Sequence, residues 1–135
     1  MATKFSAASV TKFVNNKFDK EFVTTILCDS MYDSPWFRVR LDSDNAIVKS
    51  AMDNEQNKCR EDVWADILMN NGTINIEDIE DEKTYTIGLN NLKNGLVKLM
   101  IHYPRNYASI MDESYDFYDV DMLMQYAVFG EVIYG

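Results

Sequence analysis

Glycine and proline are scarce in this 135-residue chain, five and two in number, and so are cysteine (two) and histidine (one). Each shortage removes a class of protein. The scattered glycines form neither a phosphate-binding loop nor a dinucleotide fingerprint, and no elbow for a nucleophilic serine is present. Cys28 and Cys59 are too few for a disulfide framework and lack metal-ligand spacing, which fits a reducing, cytosolic setting. No apolar run approaches the roughly 18 residues that a membrane-spanning helix needs. The stretch Met1-Ala2-Thr3-Lys4-Phe5-Ser6-Ala7-Ala8 has no continuous apolar core, so no secretory signal is expected. Low-complexity linkers and internal repeats are missing too.

What is present is enough apolar material for a core, and a lopsided charge. Hydrophobic residues make up 47% and aromatics 13%, ample for a single domain spanning 1–135. The net charge is −9, and its distribution is uneven. From Glu61 onward fourteen acidic residues face four basic ones, whereas residues 1–60 carry eight against nine. A surface of that sign repels nucleic acid and anionic membrane and draws in basic surfaces. It names no reaction.

Periodicity sketches the fold. A helix near 6–16 places Val10, Phe13 and Val14 on one side. Asp19 caps a second helix over about 20–33, carrying Phe22, Val23, Ile26, Leu27 and Met31 at i, i+4 spacing, and Pro35 blocks its continuation. Trp36-Phe37-Arg38-Val39-Arg40-Leu41 alternates as a strand, with Phe37, Val39 and Leu41 toward the core. Residues 42–60 fit either a helix over Ala46–Asn57 or an irregular excursion. Residues 63–69, then Asn70-Asn71-Gly72, then 73–79, then Glu80-Asp81-Glu82, then 84–89 read as a three-stranded meander with two tight turns. A helix competes for 60–69, since Val63 with Ile67 and Trp64 with Leu68 are i, i+4 pairs; the strand is preferred.

Asn90 caps a helix to about 102, with Leu92, Leu96, Leu99 and Met100 inward and Pro104 as its stop. Asp119 caps the last helix, where Val120, Leu123, Met124, Ala127 and Val128 form the apolar face and Gly130 ends it; 131–135 is a strand-like tail. The expected class is α+β, an antiparallel sheet of three to four strands with helices packed on one face.

Two acidic clusters and one aromatic–basic strand face are the candidate sites. Glu77, Asp78, Glu80, Asp81 and Glu82 crowd a strand end and turn; Asp112, Glu113, Asp116, Asp119 and Asp121 lead into the last helix. Arrayed on firm elements, such carboxylates mimic a phosphate backbone and occupy a basic protein surface. The bland alternative is a solvated turn and favourable charge at a helix start. Neither cluster carries the glycine that a calcium loop turns on, so neither metal nor cofactor is expected. Trp36, Arg38 and Arg40, on one strand face, could stack a base and grip a phosphate, or simply be covered by a helix and paired with acids.

No catalytic residue is expected. His102 belongs to a helix end, Cys28 to the core, and Cys59, beside Lys58 and Arg60, forms no dyad with His102 that spacing supports. The methionines, among them Met100, Met111, Met122 and Met124, fill the core or form an adaptable contact surface. The aromatic tail Phe129 to Tyr134 must dock on its own sheet or on a second copy, which makes a homodimer a further expectation.

Val63-Trp64-Ala65-Asp66-Ile67-Leu68, Asn71-Gly72-Thr73-Ile74, Leu89–Gly95, Asp121 and the closing Gln125-Tyr126-Ala127-Val128-Phe129-Gly130-Glu131-Val132-Ile133-Tyr134-Gly135 resemble a family of small bacteriophage and prophage proteins. No activity is attached to that family. Its early Thr-Thr-Ala…Gly-Gly…Tyr-Trp pattern is matched loosely by Thr24-Thr25-Ile26 and Trp36. Ser34-Pro35 stands near the place of the paired glycines, and the tyrosine before the tryptophan is missing, so no glycine-mediated backbone approach carries over. The resemblance implies an accessory protein in the bacterial cytoplasm. The leading expectation is therefore a non-enzymatic binder that inhibits a host defence or nucleic-acid-handling protein. It would act through Glu77, Asp78, Glu80, Asp81, Glu82, Asp112, Glu113 and Asp116, with no direct contact to nucleic acid or membrane. The alternatives are a binder that sequesters a nucleotide-like ligand through Trp36, Arg38 and Arg40, and a minor structural or assembly protein.

Overall fold

The computed structural model describes residues 7–32 and 35–135, with side chains from residue 12 onward. The stretch Met1–Ser6, the side chain of Val10, and Ser34 lie outside the described residues. The order of elements is α1 (Ala7–Lys17), α2 (Lys20–Ser30), β1 (Phe37–Arg40), α3 (Ala46–Asp53), α4 (Arg60–Met69), β2 (Ile74–Asp78), β3 (Thr84–Ile87), α5 (Leu89–His102), α6 (Pro104–Met111) and α7 (Phe117–Phe129). The fold is α+β. Its antiparallel sheet has the order β1-β2-β3, with Phe37 opposite Asp78, Val39 opposite Ile76, and Ile74 opposite Ile87.

The pleat sorts the sheet into two faces. Phe37, Ile74, Ile76, Asp78 and Ile87 are buried on the inner face, against α4, α5 and α7. Arg38, Arg40, Glu77, Thr84 and Thr86 stand on the other, where Thr86 Oγ1 donates across the strands to Asn75 Oδ1 at 2.9 Å. Helices therefore cover one face and leave the other to solvent. The tightest helix contact is α5 on α7. A Cβ built on Gly95 would stand 2.9 Å from the Ala127 nitrogen, so only glycine lets these backbones approach so closely.

The expected 63–69 strand is a helix, α4, and β1 takes its place in the sheet. The burial pattern shows why: Glu61, Trp64, Ala65 and Leu68 are buried at i, i+3, i+4, i+7, the helical period. Glu61 and Asp62 complement the positive end of the helix, and the Arg60 guanidinium lies 5.3 Å from the centre of the Trp64 ring. Asn70-Asn71-Gly72 ends this helix instead of joining two strands. Asn71 takes φ 64°, and the Gly72 N–H donates back to the Ile67 carbonyl at 2.8 Å. Residues that tolerate positive φ serve a helix C-terminus as readily as a hairpin.

Other boundaries move for equally local reasons. Within 42–60 the helix is Ala46–Asp53, capped by the Asn45 side chain on the N–H groups of Ile47 and Val48. Gly88, not Asn90, is the N-cap of α5; the Asn91 carboxamide accepts its N–H at 2.8 Å. Pro104 stops α5 and starts α6, because a proline in the first helical position has no N–H to satisfy. Asp116 rather than Asp119 caps α7, and Gly130 closes it with φ 76°. The tail 131–135 is not a strand. Asp19 does cap α2, accepting the Phe22 N–H at 2.8 Å. Cys28 is exposed on α2 rather than in the core.

Candidate functional site: an acidic rim beside an aromatic cleft

The first acidic cluster is shaped by one buried carboxylate. Asp78 lies on the inner sheet face, 0% exposed, opposite Phe37. Its Oδ1 accepts the N–H groups of Glu80 at 3.0 Å and Asp81 at 3.4 Å, and its Oδ2 accepts the Tyr134 hydroxyl at 2.7 Å. The turn then closes through Glu82 in the left-handed region, φ 56°, with the Glu82 N–H on the Asp78 carbonyl. With Asp78 anchored inside, Glu80, Asp81 and Glu82 project into solvent. Asp81 pairs with Lys83 at 3.3 Å, both side chains more than half exposed.

Glu77 departs from the exposed cluster. It occupies the outer sheet face between Arg38, whose Nε lies 3.4 Å away, and Arg40. Both guanidiniums therefore face a carboxylate. Trp36 is elsewhere: its indole N–H donates to Asp121 Oδ1 at 2.9 Å, and its ring packs on Phe37, Phe129 and Tyr134 at centroid distances of 4.8, 4.9 and 5.7 Å. The structure does not assemble Trp36, Arg38 and Arg40 into one binding face, because residue 36 precedes the regular strand and its indole is turned into the aromatic cluster.

The second cluster divides in the same way. Asp112 and Glu113 are exposed at the end of α6, where Glu113 reaches Lys17 at 3.1 Å. Asp116 and Asp119 satisfy each other's ends: Asp116 Oδ1 accepts the Asp119 N–H and Asp119 Oδ2 accepts the Asp116 N–H, both at 3.1 Å. Asp119 is 7% exposed and also accepts the Asn106 carboxamide. Of the eight proposed contact residues, Glu80, Asp81, Glu82, Asp112 and Glu113 are exposed and free of structural duty beyond surface ion pairs.

Between the clusters lies a cleft of about 440 Å³ whose walls include Trp36, Phe117 and Tyr134, with Ile79, Glu80 and Asp121 beside them. The tail builds one wall. The Gln125 side chain, 0% exposed in the middle of α7, accepts the N–H groups of Ile133 and Tyr134 at 2.8 Å. Its amide donates to the Tyr134 carbonyl at 3.1 Å and to Asp121 Oδ2 at 2.9 Å. All its polar capacity is thereby engaged. The Tyr134 hydroxyl is pushed up to about 12 by its hydrogen bond to Asp78, then by desolvation and the charges of Asp78, Asp81 and Glu80. The aromatic tail thus docks on its own sheet. Two other clefts, one by Lys17 and Glu113 and one at the start of α5, are lined mainly by polar side chains.

The remaining candidates are scattered. His102 ends α5 and stacks on Tyr126 at 5.9 Å. The Cys28 thiol is raised by desolvation and by the carboxylates of Glu61 and Asp29, the reverse of activation. Cys59 is exposed at the N-cap of α4. Met124 is fully buried, while Met100, Met111 and Met122 are half-buried. Among the described residues no group of three or more His, Cys, Asp or Glu could hold a metal ion, and no helix is long and apolar enough to cross a membrane.

Sequence reasoning missed Phe117 and Gln125 as site residues, and it named Asp121 and Tyr134 without joining them to Trp36. One signal was available: Gln125 interrupts the apolar run Met122-Leu123-Met124-Gln125-Tyr126-Ala127-Val128, and a polar side chain there must find partners. Comparisons with protein-family models, curated proteins and solved structures returned no match.

Proposed function

We propose that the protein acts by binding: its acidic rim occupies a basic surface on another protein. The observation that carries this reading is the division of labour around Asp78. One buried carboxylate fixes the turn, so Glu80, Asp81 and Glu82 are held outward on the hairpin, exposed, with the Asp81–Lys83 surface pair beside them. Pre-ordered charge of one sign speeds encounter with a surface of the opposite sign and selects against nucleic acid and anionic lipid. Asp112 and Glu113 extend the same potential past the start of α7. The phage-like character of the sequence makes a bacterial host protein, one that itself handles nucleic acid, the first target to seek. Inhibition would follow from blocking that protein's basic surface.

The test is capture from bacterial lysate with tagged wild-type protein and with the Glu80→Lys, Asp81→Lys, Glu82→Lys triple variant, eluted by rising salt. A basic protein that is held by the wild type, released at moderate salt, displaced by duplex DNA and ignored by the variant supports the reading. Equal capture by both proteins, or none by the wild type, overturns it.

A further inference from the structure

We infer that the cleft between Trp36, Phe117 and Tyr134 receives an arginine side chain from the basic partner. The inference rests on the binding role proposed above and adds to it a specific anchor. Three features of the cleft converge. Its volume of about 440 Å³ is far more than a bare ion requires and accommodates a long side chain with part of its flanking backbone. Three of its lining side chains, Trp36, Phe117 and Tyr134, are aromatic, and such rings attract a cation. Its polar groups are carboxylates. Glu80 stands at the rim, and Asp121 is oriented by two donors, Trp36 Nε1 and Gln125 Nε2, one on each oxygen. A carboxylate has about four acceptor sites, so both Asp121 oxygens retain capacity.

Among the described residues neither Glu80 nor Asp121 forms an ion pair with a lysine or arginine. Arginine fits better than lysine for geometric reasons. Its planar guanidinium stacks on a ring while its fork meets a carboxylate, and it gives up water more easily than an ammonium. The exposed Ile79 and half-buried Phe117 at the edge offer apolar contact to the methylene stem. Surrounding the anchor, Glu80, Asp81 and Glu82 supply the long-range attraction, so the rim governs encounter and the cleft governs residence.

The experiment is a titration of the full-length, 15N-labelled protein with acetyl-Gly-Arg-Gly-amide at low ionic strength, read at the Trp36 indole N–H. The expected result is a saturable shift at Trp36 with Trp64 silent, weaker binding of the lysine peptide, and no shift with the citrulline peptide, which keeps the shape and loses the charge. Glu80→Gln, an exposed change that leaves the turn anchored, should weaken binding about fivefold. Phe117→Leu should weaken the arginine peptide more than the lysine peptide. A shift that does not saturate, or one as large with citrulline, overturns the inference. So does agmatine binding as tightly as the peptide, which would make the cleft a site for small cations. Loss of the lysate partner in the triple-lysine variant, together with a silent Trp36 in the peptide titration, removes the anchor and leaves the acidic-surface reading standing. A saturable, charge-dependent Trp36 shift without any lysate partner does the reverse.

Discussion

Asp78 and Asp119 sit one in each acidic cluster, and both are buried, at 0% and 7% exposure, but they hold very different things. Asp119 works locally: it closes the first turn of α7 with Asp116 and takes one hydrogen bond from Asn106 on the preceding helix. Asp78 works at long range, joining the end of β2, the following turn and a tyrosine 56 residues further along the chain. The exposed acids beside each therefore differ in meaning. Those near Asp119 decorate a helix boundary that caps itself. Those near Asp78 are aimed by an anchor that also fixes a wall of the cleft, so the hairpin cluster is the better candidate for a contact surface.

The largest expected effect comes from removing the long-range anchor. Asp78→Ala leaves two backbone N–H groups and the Tyr134 hydroxyl without their acceptor, and should cost about 3 kcal/mol in urea unfolding. The same variant should lose binding at the cleft, because the tail is no longer tied to the sheet. By contrast, Asp119→Ala removes a local cap contact and should cost about 1 kcal/mol without disturbing the cleft. Equal costs for the two would erase the distinction. Next in size is the triple reversal of Glu80, Asp81 and Glu82 to lysine. It should reduce affinity for a basic partner about tenfold, yet change stability by no more than about 0.5 kcal/mol, since surface side chains engaged in nothing beyond one exposed ion pair contribute little. A variant that fails to fold would show that these acids belong to the fold after all.

How far this contrast was legible in the sequence depends on distance along the chain. The Asp19 cap, the α1 and α2 helices, the alternation of β1 and the glycine stop at Gly130 are local patterns, and the structure repeats them with small shifts. The meander differs because Asn-Asn-Gly signals positive φ without saying which element needs it, and because the short, mostly apolar stretch 63–69, interrupted by Asp66, satisfies two periods at once. Asp78 reads as one more acid in a run of acids. Nothing nearby indicates that Tyr134 will reach it; Gln125 in its apolar run signals a need for partners but not that the tail supplies them. Contacts that close across half the chain leave no periodic trace, and the cleft depends on two of them, Trp36 with Asp121 and Asp78 with Tyr134, 85 and 56 residues apart.

Titration offers a finer probe of the Asp78 anchor. The Tyr134 hydroxyl is pushed up from 10.0 to about 12 in the folded protein. A group that holds its proton more tightly when folded adds stability below its unfolded value and loses that contribution as pH rises through the folded one. The stability difference between wild type and Tyr134→Phe should thus be constant up to about pH 10 and shrink toward pH 12, measured by urea unfolding along a pH series. Tyr107, Tyr115 and Tyr126 are also raised, but they titrate in both proteins and cancel in the difference. A difference that stays flat through this window would mean that the hydroxyl and Asp78 are not coupled.

The smallest effect should come from the acid that the structure removes from the contact surface. Glu77 faces Arg38 and Arg40 on the solvent side of the sheet, with 24% of its own side chain exposed and 56% and 64% of theirs. Pairs so open to water are screened and must hold long side chains still, which cancels much of the attraction. Glu77→Gln should therefore destabilise the protein by only about 0.5 kcal/mol, less at high salt, and leave binding at the hairpin rim unchanged. Its value lies in the comparison with its neighbour. Glu77 and Asp78 are adjacent in sequence and chemically alike, but the pleat sends one outward to two arginines and the other inward to the tail. If both substitutions cost the same, burial would not be what distinguishes them. A several-fold gap between the two would attribute the difference to which face of β2 each carboxylate occupies.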